Sequence, residues 1–404
     1  WALLEDAGEI RPVIVVESVR PILGPVASAV YGNPSGKLTV LGVTGTSGKT
    51  TTTYMLEAGL TAAGKKVGLI GTTGTRIMGE DVPTSLTTPE APKLQELFAE
   101  MVTRGVTHVV MEVSSHALVL GRVGGTQFTA AGFTNLSQDH LDFHPTMEDY
   151  FEAKALLFDA SLKASVICVD DEWGEKMAAR AHNVITVGTR NQAGVDCSAR
   201  LISTTESGAQ DVELELNGTI HQFRLPLPGA FNVANAALAT ALAQSVGVDV
   251  EKFLSGIEGA AVPGRMERIN SGQEFIAVVD YAHKPAAIAA ALTTLREQVS
   301  GRIGVVVGAG GDRDQSKRVP MGEEAARRAD LVIITDDNPR SEDPATIRAA
   351  VKAGAEKVQG TEVREIGSRS EAIRELVAWA QPGDAVIVVG KGHEVGQIIG
   401  DEVH

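Results

Sequence analysis

The sequence predicts an α/β protein with two successive units, each built on a mostly parallel sheet. Three observations point there. The stretch 37–60 reads as an apolar strand, a glycine-rich loop and a helix in direct succession. Apolar strands and helices then alternate, the pattern of a sheet covered on both faces. After Val262-Pro263-Gly264 the alternation begins again, as expected when 404 residues exceed one typical domain.

Taken in order, the chain opens with residues 1–10, which read as the interior of a domain, so an N-terminal truncation is expected. Residues 13–16 form a short apolar strand, and Asn33-Pro34-Ser35-Gly36 is a turn-rich linker. The strand KLTVLGV (37–43) leads through the loop into a helix over 50–60. Further strands are expected at 67–70, 108–111, 132–135, 166–169 and 184–187, with helices near 92–104 and 147–158. The region 197–227 changes character: Val212-Glu213-Leu214-Glu215-Leu216 alternates and Asn217-Gly218 turns, so an antiparallel hairpin is expected. A helix over 232–245 follows. Beyond 262, strands are expected at 275–279, 303–307, 331–335, 363–366 and 385–389, with helices at 285–297 and 344–358 among them. Gly308-Ala309-Gly310-Gly311 suggests a dinucleotide loop, but Arg313 occupies the position of the third glycine of GxGxxG, so NAD is not expected.

Composition bounds the function. The chain is 43% hydrophobic and 22% charged, a globular balance. With 36 basic and 51 acidic residues, a net charge of −15 argues against nucleic acid or an anionic membrane as partner. Cys168 and Cys197 are too few for a disulfide framework and read as reduced thiols of a cytoplasmic protein. No apolar run reaches membrane-spanning length, so no membrane insertion is expected.

The loop between strand and helix carries the first chemistry. Gly45 and Gly48 let backbone N–H groups turn toward one anion at a helix N-terminus. Lys49 is placed to reach outer phosphates and Thr50 to ligate Mg²⁺. Val43 stands where GxxxxGK[ST] would put its first Gly. Strand, loop and helix nevertheless fall in the required order, and a nucleoside triphosphate is the expected ligand. Glu112, at the end of strand 108–111, is placed to hold that Mg²⁺. Asp139, His140, Asp142 and His144 follow strand 132–135. The i, i+4 histidines resemble a zinc helix, but the HExxH glutamate is missing and Pro145 disfavours a helix. Lys154 alone reads as an exposed helix residue. Beside metal and phosphate, a lysine made neutral can instead take up CO₂ and act as a carboxylate.

With these residues in place, the chain resembles the Mur ligase family from about Tyr31 to its end. The motifs run in family order: TGTSGKT (44–50), TTPE (87–90), MEVSSHAL (111–118), NLSQDHLDFH (135–144), EAKALLF (152–158), LPGAFNVANA (227–236), PGRME (263–267), DYAHKP (280–285), GAGGDRD (308–314), DDNPR (336–340) and GKGHE (390–394). The family's own loop is TGTxGKT, which accounts for Val43. The resemblance implies a remnant of an N-terminal UDP-binding domain at 1–35. It also implies a central P-loop-type ATPase domain at 36–262 and a C-terminal Rossmann-like domain at 263–404 that brings the amino acid. It implies ATP held by Gly45, Thr46, Ser47, Gly48, Lys49, Thr50 and Thr51, and by Asn232, Asn235, Arg265, Asp280 and His283. Two Mg²⁺ sites are implied, one at Thr50 and Glu112, the other at His140 and Lys154, the latter as N6-carboxylysine. Lys49, Lys154 and Arg265 are the implied catalytic residues.

Thr87, Thr88, Ser114 and Arg122 match positions that touch UDP-MurNAc-L-Ala-D-Glu. Arg313, Asp337, Asn338, Arg340, Gly390 and Glu394 match contacts to meso-2,6-diaminopimelate. Family members that add this amino acid carry the arginine of DNPR, and the physics agrees. Diaminopimelate exceeds lysine by one distal carboxylate, which a guanidinium grips bidentately. The competing role for Arg340 is a surface ion pair with Glu342 or Asp343. The implied activity joins diaminopimelate to the D-Glu γ-carboxylate through an acyl phosphate, in peptidoglycan precursor synthesis, by a cytoplasmic monomer. A folylpolyglutamate-synthase-like ligase is the alternative, opposed by DDNPR and GKGHE. A P-loop GTPase would need NKxD, and a module that only binds nucleotide would not need the metal ligands.

Overall fold

The computed structural model describes residues 15–84, 86–205, 208–400 and 402–404 in full, and the backbone of strands Ala2–Asp6 and Glu9–Val13. Those two strands form an antiparallel pair. The strand expected at 13–16 ends at Val13; Ile14 lies outside the described residues, and Val15 and Val16 are irregular. Helix Arg20–Val30 follows, which the sequence reading did not place. Pro21 and Pro25 obscure its periodicity. A proline is tolerated in the first helical turn, whereas one deeper inside removes a hydrogen bond.

The larger sheet has eleven strands among the described residues. Seven run parallel, in the order Cys197–Thr204, Val184–Gly188, Ala164–Cys168, Ala130–Phe133, Thr39–Thr44, His108–Glu112 and Val67–Gly71. Antiparallel strands Gln210–Leu216 and Thr219–Leu225 extend one edge, turning at Asn217-Gly218 as expected; Gly74–Ile77 and Glu80–Val82 extend the other. The five parallel strands from Ala164–Cys168 to Val67–Gly71 are mostly apolar because both faces are covered. Helices Lys49–Ala62, Ala230–Ser245 and Val250–Ile257 pack on one face, and Ala91–Thr103 and Met147–Ala155 on the other. Boundaries shift by up to three residues from the sequence reading, as where helix 344–358 ends at Ala355; two shifts lie near loops of the site. Strand 132–135 runs instead over Ala130–Phe133, which puts Asn135 in the loop beyond it, and helix 147–158 stops at Ala155.

The second sheet has the order Glu267–Ile269, Ile276–Asp280, Ala385–Val389, Ile303–Val307, Leu331–Ile334, Glu362–Glu365, and is parallel except for its first strand. Its core lies between this sheet and helices Pro285–Arg296, Arg318–Ala326 and Pro344–Ala355, with Arg369–Trp379 on the opposite face. In such sheets sites form beyond the carboxyl ends of the strands. Here both sets of loops converge: Arg265 Nη2 donates to Thr50 Oγ1 at 3.1 Å, and Lys284 Nζ to Thr46 O at 3.1 Å.

Candidate active site

The loop after Thr39–Thr44 is shaped by contacts that leave no room for side chains. At Gly45, φ is +145° and a Cβ would lie 1.8 Å from Thr134 Oγ1; at Gly48, φ is +88° and a Cβ would lie 2.4 Å from Asn235 Oδ1. Thr46 N donates to Asn135 O at 2.9 Å and Ser47 N to Asn135 Oδ1 at 3.0 Å. Helix Lys49–Ala62 starts at Gly48 with no side-chain cap, so its N-terminal donors remain for an anion. Thr51, in the first turn, is buried. Thr50 Oγ1 donates to Glu112 Oε1 at 3.0 Å. Glu112 is only 1% exposed and also accepts from Thr72 N and Thr72 Oγ1, at 2.8 and 3.0 Å.

Three lysines surround the loop. Lys49 Nζ donates to Gly45 O at 2.8 Å and Thr46 O at 3.2 Å; Lys154 Nζ donates to Gly45 O at 2.9 Å. Lys284 Nζ pairs with Asp139 Oδ2 at 2.8 Å. Burial, helped by the charge of Lys284, pushes Lys49 down to about 8. Lys154, 1% exposed, falls well below the usual lysine range, from burial first and then from Lys49 and Lys284. Among the described residues no carboxylate is within 4.0 Å of its Nζ, which sits 4.4 Å over the Tyr150 ring. So Lys154 is not the exposed residue its composition alone suggests. Burial raises the Asp139 carboxyl, but Lys284 and His140 outweigh it and hold the group below its usual range. His140 has φ +54° and lies 3.0 Å from Asp139 Oδ2; burial lowers its imidazole to about 3, against the pull of Asp139. The His140 ring lies 6.0 Å from that of Tyr150, so His140 and Lys154 share one neighbour. His144 stacks on the same Tyr150 ring, centroids 5.0 Å apart, with its Nε2 2.9 Å from Ser115 Oγ.

Asn232 and Asn235 are buried on helix Ala230–Ser245, and Asn235 abuts Gly48. Asp280 uses its carboxylate on backbone N–H groups, of Met266 at 2.7 Å and Ala282 at 2.8 Å, and so ties the 263–267 loop to the 280–285 loop. His283 is equally inward, its Nδ1 2.8 Å from Tyr281 O, and burial keeps its imidazole neutral. Thr87 Oγ1 lies 3.2 Å from Thr72 Oγ1. Thr88, fully buried, donates to Glu112 O at 2.9 Å, Ser114 caps helix Ser115–Val119, and Arg122 donates to Glu90 at 2.8 Å.

A second polar cluster lies across the C-terminal loops. Glu394 accepts from Tyr281 Oη at 3.0 Å, Asn338 Nδ2 at 3.1 Å and Lys391 Nζ at 3.2 Å. Gly390, at φ +110°, lets Asp337 approach: a Cβ would lie 2.6 Å from Asp337 Oδ2. Arg340, at φ +53°, donates to Gly311 O at 2.7 Å. Glu342 pairs with Arg318 and Asp343 caps helix Pro344–Ala355, so the competing ion pair does not form. Among the described residues no carboxylate is within 4.0 Å of the Arg340 guanidinium. Arg313 is exposed at the rim.

Comparison with known proteins decides the family. The Mur ligase middle domain matches residues 43–243, and the Mur ligase glutamate ligase domain matches residues 264–392. The UDP-N-acetylmuramoyl-L-alanyl-D-glutamate--2,6-diaminopimelate ligase of Corynebacterium glutamicum is 64% identical over 412 residues, spanning 100% of this chain and 80% of that protein. The chain belongs to the Mur ligase family. A Streptomyces avermitilis protein of the same name is 46% identical, over 96% of this Mur ligase and 78% of its own length. A solved structure of a ligase of that name, 34% identical, superposes with a TM-score of 0.67 over 95% of this chain and 80% of that one. A Mycobacterium tuberculosis folylpolyglutamate synthase complexed with ADP reaches a TM-score of 0.73 at 19% identity, covering 91% and 90%. At that identity the likeness concerns the fold alone.

Reading this Mur ligase from its sequence missed the roles of four residues in the site: Lys284, Tyr281, Lys391 and Arg369. Lys284, Tyr281 and Lys391 sit inside recognised motifs, but what marks them is contact between distant loops. Arg369, which donates to Val389 O at 2.8 Å and lies 4.0 Å from Asp337, carried no sequence signal.

Proposed function

We propose that this chain is the ATP-dependent ligase that joins meso-2,6-diaminopimelate to the D-Glu γ-carboxylate of UDP-MurNAc-L-Ala-D-Glu, a step of peptidoglycan precursor synthesis. The observation that carries the reading is a phosphate loop linked, through Arg265 and Tyr281, to a cluster of Glu394, Asn338 and Arg340. This pairs a phosphoryl-transfer site with a pocket for a dicarboxylate that also bears a distal ammonium. In the first step the substrate carboxylate attacks the γ-phosphorus of ATP, the bond to ADP breaks, and an acyl phosphate forms. Two anions must meet, so the barrier is electrostatic; Lys49 and Arg265 neutralise the charge and Asn232 and Asn235 brace the loop. In the second step the unprotonated amine attacks the acyl carbon and phosphate leaves. Arg340 grips the distal carboxylate and Glu394 the distal ammonium, with Asp337, Gly390 and Arg313 shaping the pocket. Thr87, Thr88, Ser114 and Arg122 are assigned to the dipeptide arm of the substrate on the family motifs.

The donor sets fit the metals that the family implies. Thr50 and Glu112 offer hard oxygens at a helix N-terminus, suited to one Mg²⁺. Lys154 is buried without an acid and flanked by Lys49 and Lys284. These features favour addition of CO₂ to its neutral amine, with loss of a proton, giving a carbamate that with His140 would hold a second. When bound, the ions supply charge neutralisation on the phosphate oxygens. The units 1–35, 36–262 and 263–404, a monomeric state and a cytoplasmic location belong to the same proposal. In support of the last, no helix among the described residues is long and apolar enough to cross a membrane. Arg340→Ala is expected to lower kcat/KM for meso-diaminopimelate at least a hundredfold while the Kd for ATP stays within twofold. Equal loss of both would contradict the assignment.

A further inference from the structure

Tyr281 stands where the two halves of the site meet. The Arg265 guanidinium carbon lies 4.3 Å from its ring centroid, and His393 stacks on the same ring, centroids 5.4 Å apart with planes at 30°. Arg265 Nε is buried with no hydrogen-bond partner, while its Nη2 reaches Thr50 Oγ1 at 3.1 Å. The aromatic face therefore does much of the holding that keeps this cation aimed at the phosphate loop. At the other end of the ring, the Tyr281 hydroxyl donates to Glu394 Oε1 at 3.0 Å. Burial first, and then Glu394 itself, pushes the phenol upward, so it remains a donor. Asn338 and Lys391 hold only the other carboxylate oxygen.

We infer that Tyr281 is a positioning residue that fixes the phosphate-side arginine and the amino-acid-side carboxylate in one register, its ring serving Arg265 and its hydroxyl serving Glu394. The inference rests on the functional reading above. It makes one side chain answerable for two separable effects, which a residue that merely packs would not show.

Two variants separate them. Tyr281→Phe keeps the ring and loses the hydroxyl. It is expected to raise KM for meso-diaminopimelate about tenfold, the scale of a lost hydrogen bond to a charged group, and to leave ATP affinity by calorimetry within twofold. Tyr281→Leu loses both, and is expected to weaken ATP binding at least fivefold as well as to raise KM. A Phe variant with unchanged KM for meso-diaminopimelate, or a Leu variant that binds ATP as tightly as the Phe variant, overturns the inference. Calorimetry needs no acceptor, so the ring's part is judged even if the unaltered protein proved unable to use meso-diaminopimelate. That last result would defeat the functional reading instead.

Discussion

Lys154 shows how far a single residue's chemistry depends on where the fold puts it. In the sequence it is one lysine in a helix, and solvent exposure is the ordinary outcome. In the structure it is buried at the loop, bonded to Gly45 O, and short of the counter-charge that would keep it protonated. Desolvation thus prepares a nucleophilic amine next to two cations able to stabilise a carbamate. Lys154→Ala is expected to abolish turnover and to regain part of it when formate or another short carboxylate is added. No recovery at any carboxylate concentration would leave the lysine without this role. Lys49 and Thr50 were legible because the phosphate loop is local in sequence, and Glu112 because it ends an apolar strand. The partnership of Asp139 with Lys284 was not, since the two are 145 positions apart and meet only across the two sheets.

At the scale of elements, the loop depends on the helix that follows it. Helix Lys49–Ala62 is braced by Val250–Ile257, whose fully buried Phe253 lies so close to Gly59 that a Cβ there would come within 2.4 Å of the ring. Phe253→Ala would open a cavity under this crossing and is expected to cost about 3–5 kcal/mol of unfolding free energy. Chemical denaturation checks the loss, and the KM for ATP should stay within threefold at a temperature where the variant is folded. The central strands were readable because both faces are buried and their apolar runs are unbroken. The edge strands Gly74–Ile77 and Glu80–Val82 were not, being short, partly exposed and polar on one side. Helix Arg20–Val30 hid behind its prolines, and the strand expected at 132–135 was placed two residues late because Ala130, Ala131 and Gly132 are poor strand formers.

At the scale of the whole molecule, the site belongs to neither sheet alone. Arg265 and Lys284 come from the second unit and end on Thr50 and Thr46 of the first, while Arg340 and Glu394 wait on the loops behind them. Such an arrangement suits the proposed two-step reaction, because the cations proposed for phosphoryl transfer and the residues proposed to hold the amino acid are tied into one site. Relatives with the same fold but distant sequences, the folylpolyglutamate synthases among them, share the sheets, so fold cannot choose the substrate; the proposal gives that choice to the residues around Arg340. The most direct measurement is therefore phosphate release from ATP by this protein, with UDP-MurNAc-L-Ala-D-Glu and either meso-diaminopimelate or L-lysine. Release with meso-diaminopimelate and little with L-lysine is the predicted result. Equal release with both, or preference for L-lysine, would contradict the assignment of Arg340 and Glu394 as the groups that choose the amino acid.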